Sequence, residues 1–106
     1  MKVTITDEAL REAKSFAERQ KIRKPVVYLD VVRTCCSSIP KVSVADQTSN
    51  KFEIIDNSKG IPICACDLIR EFLKENEERN DLEIKVDIIA PYGLSFQLLK
   101  LEVEHA

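Results

Sequence analysis

Val26-Val27-Tyr28-Leu29-Asp30-Val31-Val32 constrains the fold more than any other stretch of the chain. Six of these seven side chains are apolar or aromatic and four are valine. β-Branched side chains in an unbroken run suit a strand buried on both faces, and such a strand needs a layer packed on each side. Asp30 interrupts the run. An unpaired buried carboxylate is costly, so Asp30 is expected to lie at an edge or to find a hydrogen-bond partner.

The covering layers must come from the segments on either side. Lys2 to Ile5 reads as a short strand. Thr6 reads as the N-cap of a following helix, with Asp7 and Glu8 placed favourably in the first turn of the helix dipole. Leu10, Ala13, Phe16 and Ala17 recur at helical spacing and mark the expected buried stripe. The basic stretch Arg19 to Lys24 suits the helix end, and Pro25 closes the connection. After a loop at Cys35–Pro40, Lys41 to Ala45 alternates as a strand. Asp46 to Asn50 is turn chemistry, Phe52 to Ile55 a further strand, and Asp56-Asn57-Ser58-Lys59-Gly60 a strong turn signal.

Ile61 to Ala65 reads as a short strand, with Pro62 placing it at an edge or at a strand start. Leu68, Ile69, Phe72 and Leu73 define a second helix, capped by Asp67 or bounded by Cys66. Leu82, Ile84, Val86 and Ile88 alternate with Glu83, Lys85 and Asp87 as in a half-buried strand. Ala90-Pro91-Tyr92-Gly93 turns the chain into a last strand, Leu94 to Val103. Its parity slips at Leu98-Leu99, which predicts a bulge or burial on both faces. The order β-α-β-β-β-β-α-β-β, with short turns and no internal repeat, defines one α+β domain over residues 1–106 with mainly antiparallel or mixed pairing.

With 106 residues, 44% hydrophobic and 32% charged, the chain can bury a core without obligatory disulfides. Sixteen basic against 18 acidic side chains argue against a nucleic-acid module, which needs a basic stripe. No apolar run approaches the ~20 residues needed to span a bilayer, and the N-terminus lacks the apolar core of a secretory signal. The expectation is a cytoplasmic protein with reduced thiols, no nucleic-acid partner and no membrane association.

The chemistry concentrates in four cysteines, grouped as RTCCSSIP (Cys35, Cys36) and ICACD (Cys64, Cys66). Adjacent residues on a strand point to opposite faces, so Cys35 and Cys36 fit an exposed loop better than a core. Cys64 and Cys66 share strand parity, and Cys66 precedes a helix start, where free N–H groups favour a thiolate. Arg33 stands close enough in sequence to do the same for Cys35 or Cys36. Three readings stay open at this point: a thiolate metal site formed by all four cysteines, a redox pair at Cys35-Cys36, and burial of the cysteines as small hydrophobes in a binding or scaffold module. Zinc ranks below iron or an iron–sulfur cluster, because neither CC nor CxC matches the usual two-to-four-residue zinc spacing. No CxxC, phosphate loop or Ser/His/Asp pattern is present, and the lone His105 reads as a solvated tail. No catalytic residue emerges.

Several of these segments resemble one family. Val3-Thr4-Ile5-Thr6-Asp7-Glu8-Ala9 resembles the opening of HesB/IscA-like (A-type) iron–sulfur carrier proteins, a strand running into a helix. LDVVRTCCSS is similar to the family's strand ending in Gly-Cys-Ser-Gly, with Cys36-Ser37 at its Cys-Ser and Cys35 and Ser38 in place of the glycines. Gly60-Ile61 leading into a strand and helix, and Tyr92-Gly93-Leu94-Ser95-Phe96 at the family's Gly-Phe-x-Phe stretch, extend the likeness along most of the chain. The double cysteine also resembles a divergent HesB-like branch with a CC motif. The resemblance implies a compact mixed β-sheet sandwich or barrel with two helices, binding of iron or an iron–sulfur cluster, often across a homodimer, and iron–sulfur assembly or acceptor proteins as partners. It carries a ligand role to Cys36 alone, with Ser37 supporting; the family's C-terminal Cys-Gly-Cys has no counterpart in LKLEVEHA.

Overall fold

The computed structural model describes residues 1–47, 53–89 and 93–101. The chain runs β1 (Lys2–Ile5), α1 (Asp7–Arg19), β2 (Pro25–Arg33), β3 (Ser38–Asp46), β4 (Ile54–Asp56), β5 (Ile63–Ala65), α2 (Asp67–Glu75), β6 (Leu82–Ile89) and β7 (Gly93–Lys100). This is the expected order and an α+β architecture with two helices. The strands form a three-stranded sheet, β1-β6-β7, and a four-stranded sheet, β3-β2-β5-β4. β1 is parallel to β6 and β2 to β5, while β2–β3, β4–β5 and β6–β7 are antiparallel. Among the described residues the two mixed sheets remain separate and do not close into a barrel.

The core lies where the sheets and helices meet, built on Val27 and Leu29 of β2, Ile63 of β5, and Ile84 and Val86 of β6. In α1 the fully covered positions are Ala9, Ala13 and Ala17, four residues apart on one face. That small-residue line lets the helix approach the sheets closely. Leu10 packs at its margin, whereas Phe16, expected in the stripe, is exposed with the Arg19 guanidinium over its ring. Thr6 caps α1 as anticipated, its hydroxyl oxygen accepting the Ala9 N–H at 3.2 Å. At the other end Lys21 takes a left-handed φ of 54°, and the Ile22 N–H returns to the Ala17 carbonyl at 2.9 Å.

Four further expectations change. Val26, Val27 and Leu29 are fully buried, but Val32 is 42% exposed, so only the first half of β2 is covered on both faces. β3 begins at Ser38, drawing Ser38-Ile39-Pro40 from the expected loop into the ladder through the pairs Arg33–Ser38, Val32–Ile39 and Val31–Pro40. Proline is tolerated there because β3 is an edge strand. β5 contracts to three residues and is internal, between β2 and β4, so of the two places expected for Pro62 the strand start holds and the edge does not. β7 pairs with β6 without a register shift, so Leu98-Leu99 forms no bulge: Leu98 lies on the Ile84 side and Leu99 on the Glu83 side. Residues 48–50, Phe52 and Ala90-Pro91-Tyr92 of the expected turns and strand start, Val103 of the last strand, and His105 lie outside the described residues.

Candidate functional site

The hairpin β2–β3 carries the first cysteine pair at its tip. Register fixes the tip: Arg33–Ser38 is the last paired position, leaving Thr34, Cys35, Cys36 and Ser37 as the connection. Thr34 organises it. Its N–H donates to the Ser37 carbonyl at 2.8 Å, and its hydroxyl oxygen accepts the N–H groups of Ser37 at 3.1 Å and Cys36 at 3.4 Å. The Thr34 hydroxyl in turn donates to the Ser37 carbonyl at 3.0 Å. This is the local side-chain turn chemistry of Ser and Thr, and a Thr opening a four-residue link was its sequence signal. Cys35 and Cys36 are both exposed free thiols, with their Sγ atoms 3.4 Å apart.

That spacing discriminates between chemistries. Two thiolates on one tetrahedral ion, each bonded at ~2.3 Å, stand about 3.8 Å apart. A disulfide needs ~2.05 Å, and trans-adjacent Cα atoms ~3.8 Å apart fall below the 4.4–6.8 Å usual for disulfides. Relative to the 3.4 Å observed, chelation asks the sulfurs to open by about 0.4 Å, whereas bond formation asks them to close by more than about 1 Å.

The second pair is divided. Cys64 aligns across the sheet with Tyr28 and Ile54, on the face opposite Ile63 and Ala65, and its relative exposure is 0%. Burial pushes its thiol above the ordinary value of 9.0. Of the two boundaries expected for α2, Cys66 is the N-cap, and Asp67 opens the helix and pairs with Arg70. The Cys66 amide donates to the Leu29 carbonyl and its own carbonyl accepts the Arg70 N–H, both at 3.0 Å. Its half-buried side chain makes no capping bond and packs against the core cluster, so the shared CxC parity ends with the strand.

The fold therefore brings Cys35 and Cys36 together and leaves Cys64 and Cys66 apart from them. The Cys66 amide on the Leu29 carbonyl sets Cys66 level with Asp30. Arg33 lies three residues further along β2, about 10 Å at ~3.3 Å per residue, and the dithiol lies beyond it. Among the described residues, no group of three or more His, Cys, Asp or Glu side chains is placed to hold a metal ion. Tested against a four-thiolate iron or cluster site, one chain offers two convergent donors and the rest of the coordination must come from outside it.

Between the two pairs lies a recess that sequence reasoning missed. β5 ends at Ala65 while β2 runs on to Arg33, and the first turn of α2 closes the space left beside β2. The resulting cavity of about 610 Å³ is lined by Tyr28, Arg33, Glu53, Cys66 and Arg70 among others. Arg70 is held by the Ala65 carbonyl at 3.2 Å and by the carboxylates of Glu53 and Asp67. The Tyr28 phenol is raised above its ordinary value by burial first, then by the carboxylates of Asp30 and Asp67, with Arg70 opposing. Asp30 has found its partner: its Oδ1 accepts the Val31 N–H at 2.8 Å.

No family model matches the chain, and no curated protein matches it significantly. Among the described residues no helix is long and apolar enough to cross a membrane.

Proposed function

We propose that this chain is a thiolate-based binding protein on a HesB/IscA-like frame, with Cys35 and Cys36 forming a two-sulfur half-site for thiophilic metal cargo, an iron ion or an iron–sulfur cluster. The observation that carries the reading is the exposed Sγ pair 3.4 Å apart, close to the bite of a single tetrahedral ion. Soft thiolates select such metals over hard cations. A second copy of the chain supplies the other two thiolates, because the hairpin tip projects its sulfurs where another molecule reaches them. Arg33 flanks the pair, and Ser37 with Thr34 holds the turn. Iron–sulfur assembly or acceptor proteins are the corresponding partners. The frame is supported by the strand-into-helix opening and by the strand leading into Cys36-Ser37.

Anaerobic titration with Co(II) tests this, since thiolate-to-metal charge-transfer absorption reports sulfur ligation directly. The band is expected to saturate at about one ion per two chains, as four ligands in pairs require. It should vanish in a C35S/C36S double variant and persist in C64A. A protein that stays colourless with Co(II) and after iron–sulfide reconstitution, or a band that survives in C35S/C36S, would refute the reading.

The exposure of both free thiols favours one alternative, two-electron exchange. The Cys35-Cys36 dithiol would give two electrons and two protons to a substrate disulfide, closing a vicinal disulfide and releasing two thiols. Reversible loss of two titratable thiols per chain in a glutathione redox buffer, absent from either single Ser variant, would establish it.

A further inference from the structure

The recess beside β2 has an open strand edge, and the two hydrogen bonds that flank β5 show which groups form it. The Val27 N–H donates to the Pro62 carbonyl and the Leu29 carbonyl accepts the Cys66 N–H, so odd-numbered residues of β2 direct their backbone groups toward β5. Val31 and Arg33 continue that parity past Ala65, where β5 has ended. Asp30 covers the Val31 N–H with its carboxylate. The Val31 carbonyl and the N–H and carbonyl of Arg33 have no strand opposite them among the described residues.

Three further features converge on this edge. Cys66 lines the cavity, half-buried at its boundary with the core cluster, and its side chain makes no capping bond to α2. Cys64, by contrast, is sealed. The Arg33 guanidinium makes no ion pair among the described residues, whereas Arg70 across the cavity is occupied by Glu53 and Asp67. The volume, about 610 Å³, suits a small ligand rather than a macromolecular surface.

We propose that this recess takes a small acidic peptide disulfide, laid as a short strand on the open edge of β2 with a carboxylate at Arg33, and that Cys66 is the sulfur that exchanges with it. The ligand's backbone answers the Val31 carbonyl and the Arg33 N–H and carbonyl, which no strand among the described residues faces, as in strand addition to a sheet edge. In the exchange the Cys66 sulfur attacks one sulfur of the ligand; the ligand's S–S bond breaks and a Cys66–ligand disulfide forms. The departing thiolate takes up the proton that the Cys66 thiol loses. This site is separate from the dithiol and uses a cysteine outside the metal-cargo reading.

The test uses the full chain carrying C35S/C36S, so that adducts are not resolved by the vicinal pair, and follows modification by residue-mapped mass spectrometry. Glutathione disulfide is the acidic peptide probe and cystamine the cationic, non-peptide one. Cys66 is expected to react with glutathione disulfide about tenfold faster than the same cysteine in the urea-unfolded chain, and faster than with cystamine. Adding Arg33→Glu should reverse the order of the two probes, and Arg33→Lys should keep it; Arg33 is exposed, and far-UV circular dichroism confirms that both fold. Modification of Cys66 no faster than in the unfolded chain, or a probe order that Arg33→Glu leaves unchanged, overturns the proposal.

Discussion

Cys64 separates a buried small hydrophobe from a ligand, and two substitutions there give opposed expectations. Its side chain is at 0% exposure, and its strand β5 is paired on both sides, with β2 and β4. Cys64→Ala removes one sulfur. The lost transfer free energy is close to that of one buried methylene, about 0.8 kcal/mol. A residual void of ~25 Å³ at ~24 cal/mol per Å³ adds about 0.6 kcal/mol. The total is about 1.4 kcal/mol. Cys64→Ser leaves a smaller void but buries a hydroxyl beside backbone already committed to two ladders, and an unmet polar group costs about 1–3 kcal/mol. Ser should therefore be the worse substitution by about 1 kcal/mol, a gap of roughly 4–8 °C in Tm for a domain of this size. Thermal unfolding with a reductant present measures the gap, and Co(II) absorption measures ligation in the same samples. A Ser variant as stable as the Ala variant would refute burial in an apolar site. Loss of the Co(II) band in both would make Cys64 a ligand and refute the two-sulfur half-site.

The raised Cys64 thiol also sets an alkaline limit. The unfolded chain ionises this group near 9.0 while the folded chain holds it protonated, so its contribution to stability is complete below that pH and falls as pH rises through the folded value; Cys64→Ala should flatten the alkaline arm of a Tm-versus-pH curve. Lys21→Gly should stabilise by about 0.5–1 kcal/mol in urea unfolding, because Lys21 holds the left-handed φ of 54° that glycine adopts without a Cβ penalty. Thr34→Val keeps the side-chain shape but removes the oxygen that receives the Ser37 and Cys36 N–H groups. Water replaces it at this exposed tip, so Tm should change little, while Co(II) affinity should drop about fivefold, the equivalent of ~1 kcal/mol for ordering the turn on binding.

Local chemistry was legible in the chain wherever a side chain's own neighbours decide the outcome. Thr6 with Asp7 and Glu8 announced the start of α1, and the alternation from Leu82 to Ile88 announced β6, because caps and strand parity depend on residues a few positions apart. The exposed position of Cys35-Cys36 followed from two adjacent cysteines at a strand end. Phe16 and Ser38-Ile39-Pro40 were misread for a common reason. The line Ala9-Ala13-Ala17 was chosen by the sheets that α1 packs on, and the start of β3 by the register it takes against β2. Neither is encoded in its own segment.

The same division holds for the thiols. The sequence by itself determined that this is an α+β chain with four cysteines in two pairs, and that one pair sits at a turn, since composition and periodicity act locally. Tertiary structure alone decided what the second pair becomes. The parallel alignment of β5 on β2 buries Cys64 in the middle of a sheet and ends the strand before Cys66, while the β2–β3 register carries Cys35 and Cys36 past Arg33. The pairing of β2 with β5, between residues more than thirty positions apart, is a non-local choice, and it turned the second pair into one sealed thiol and one thiol in a recess, beside the exposed dithiol of the local hairpin.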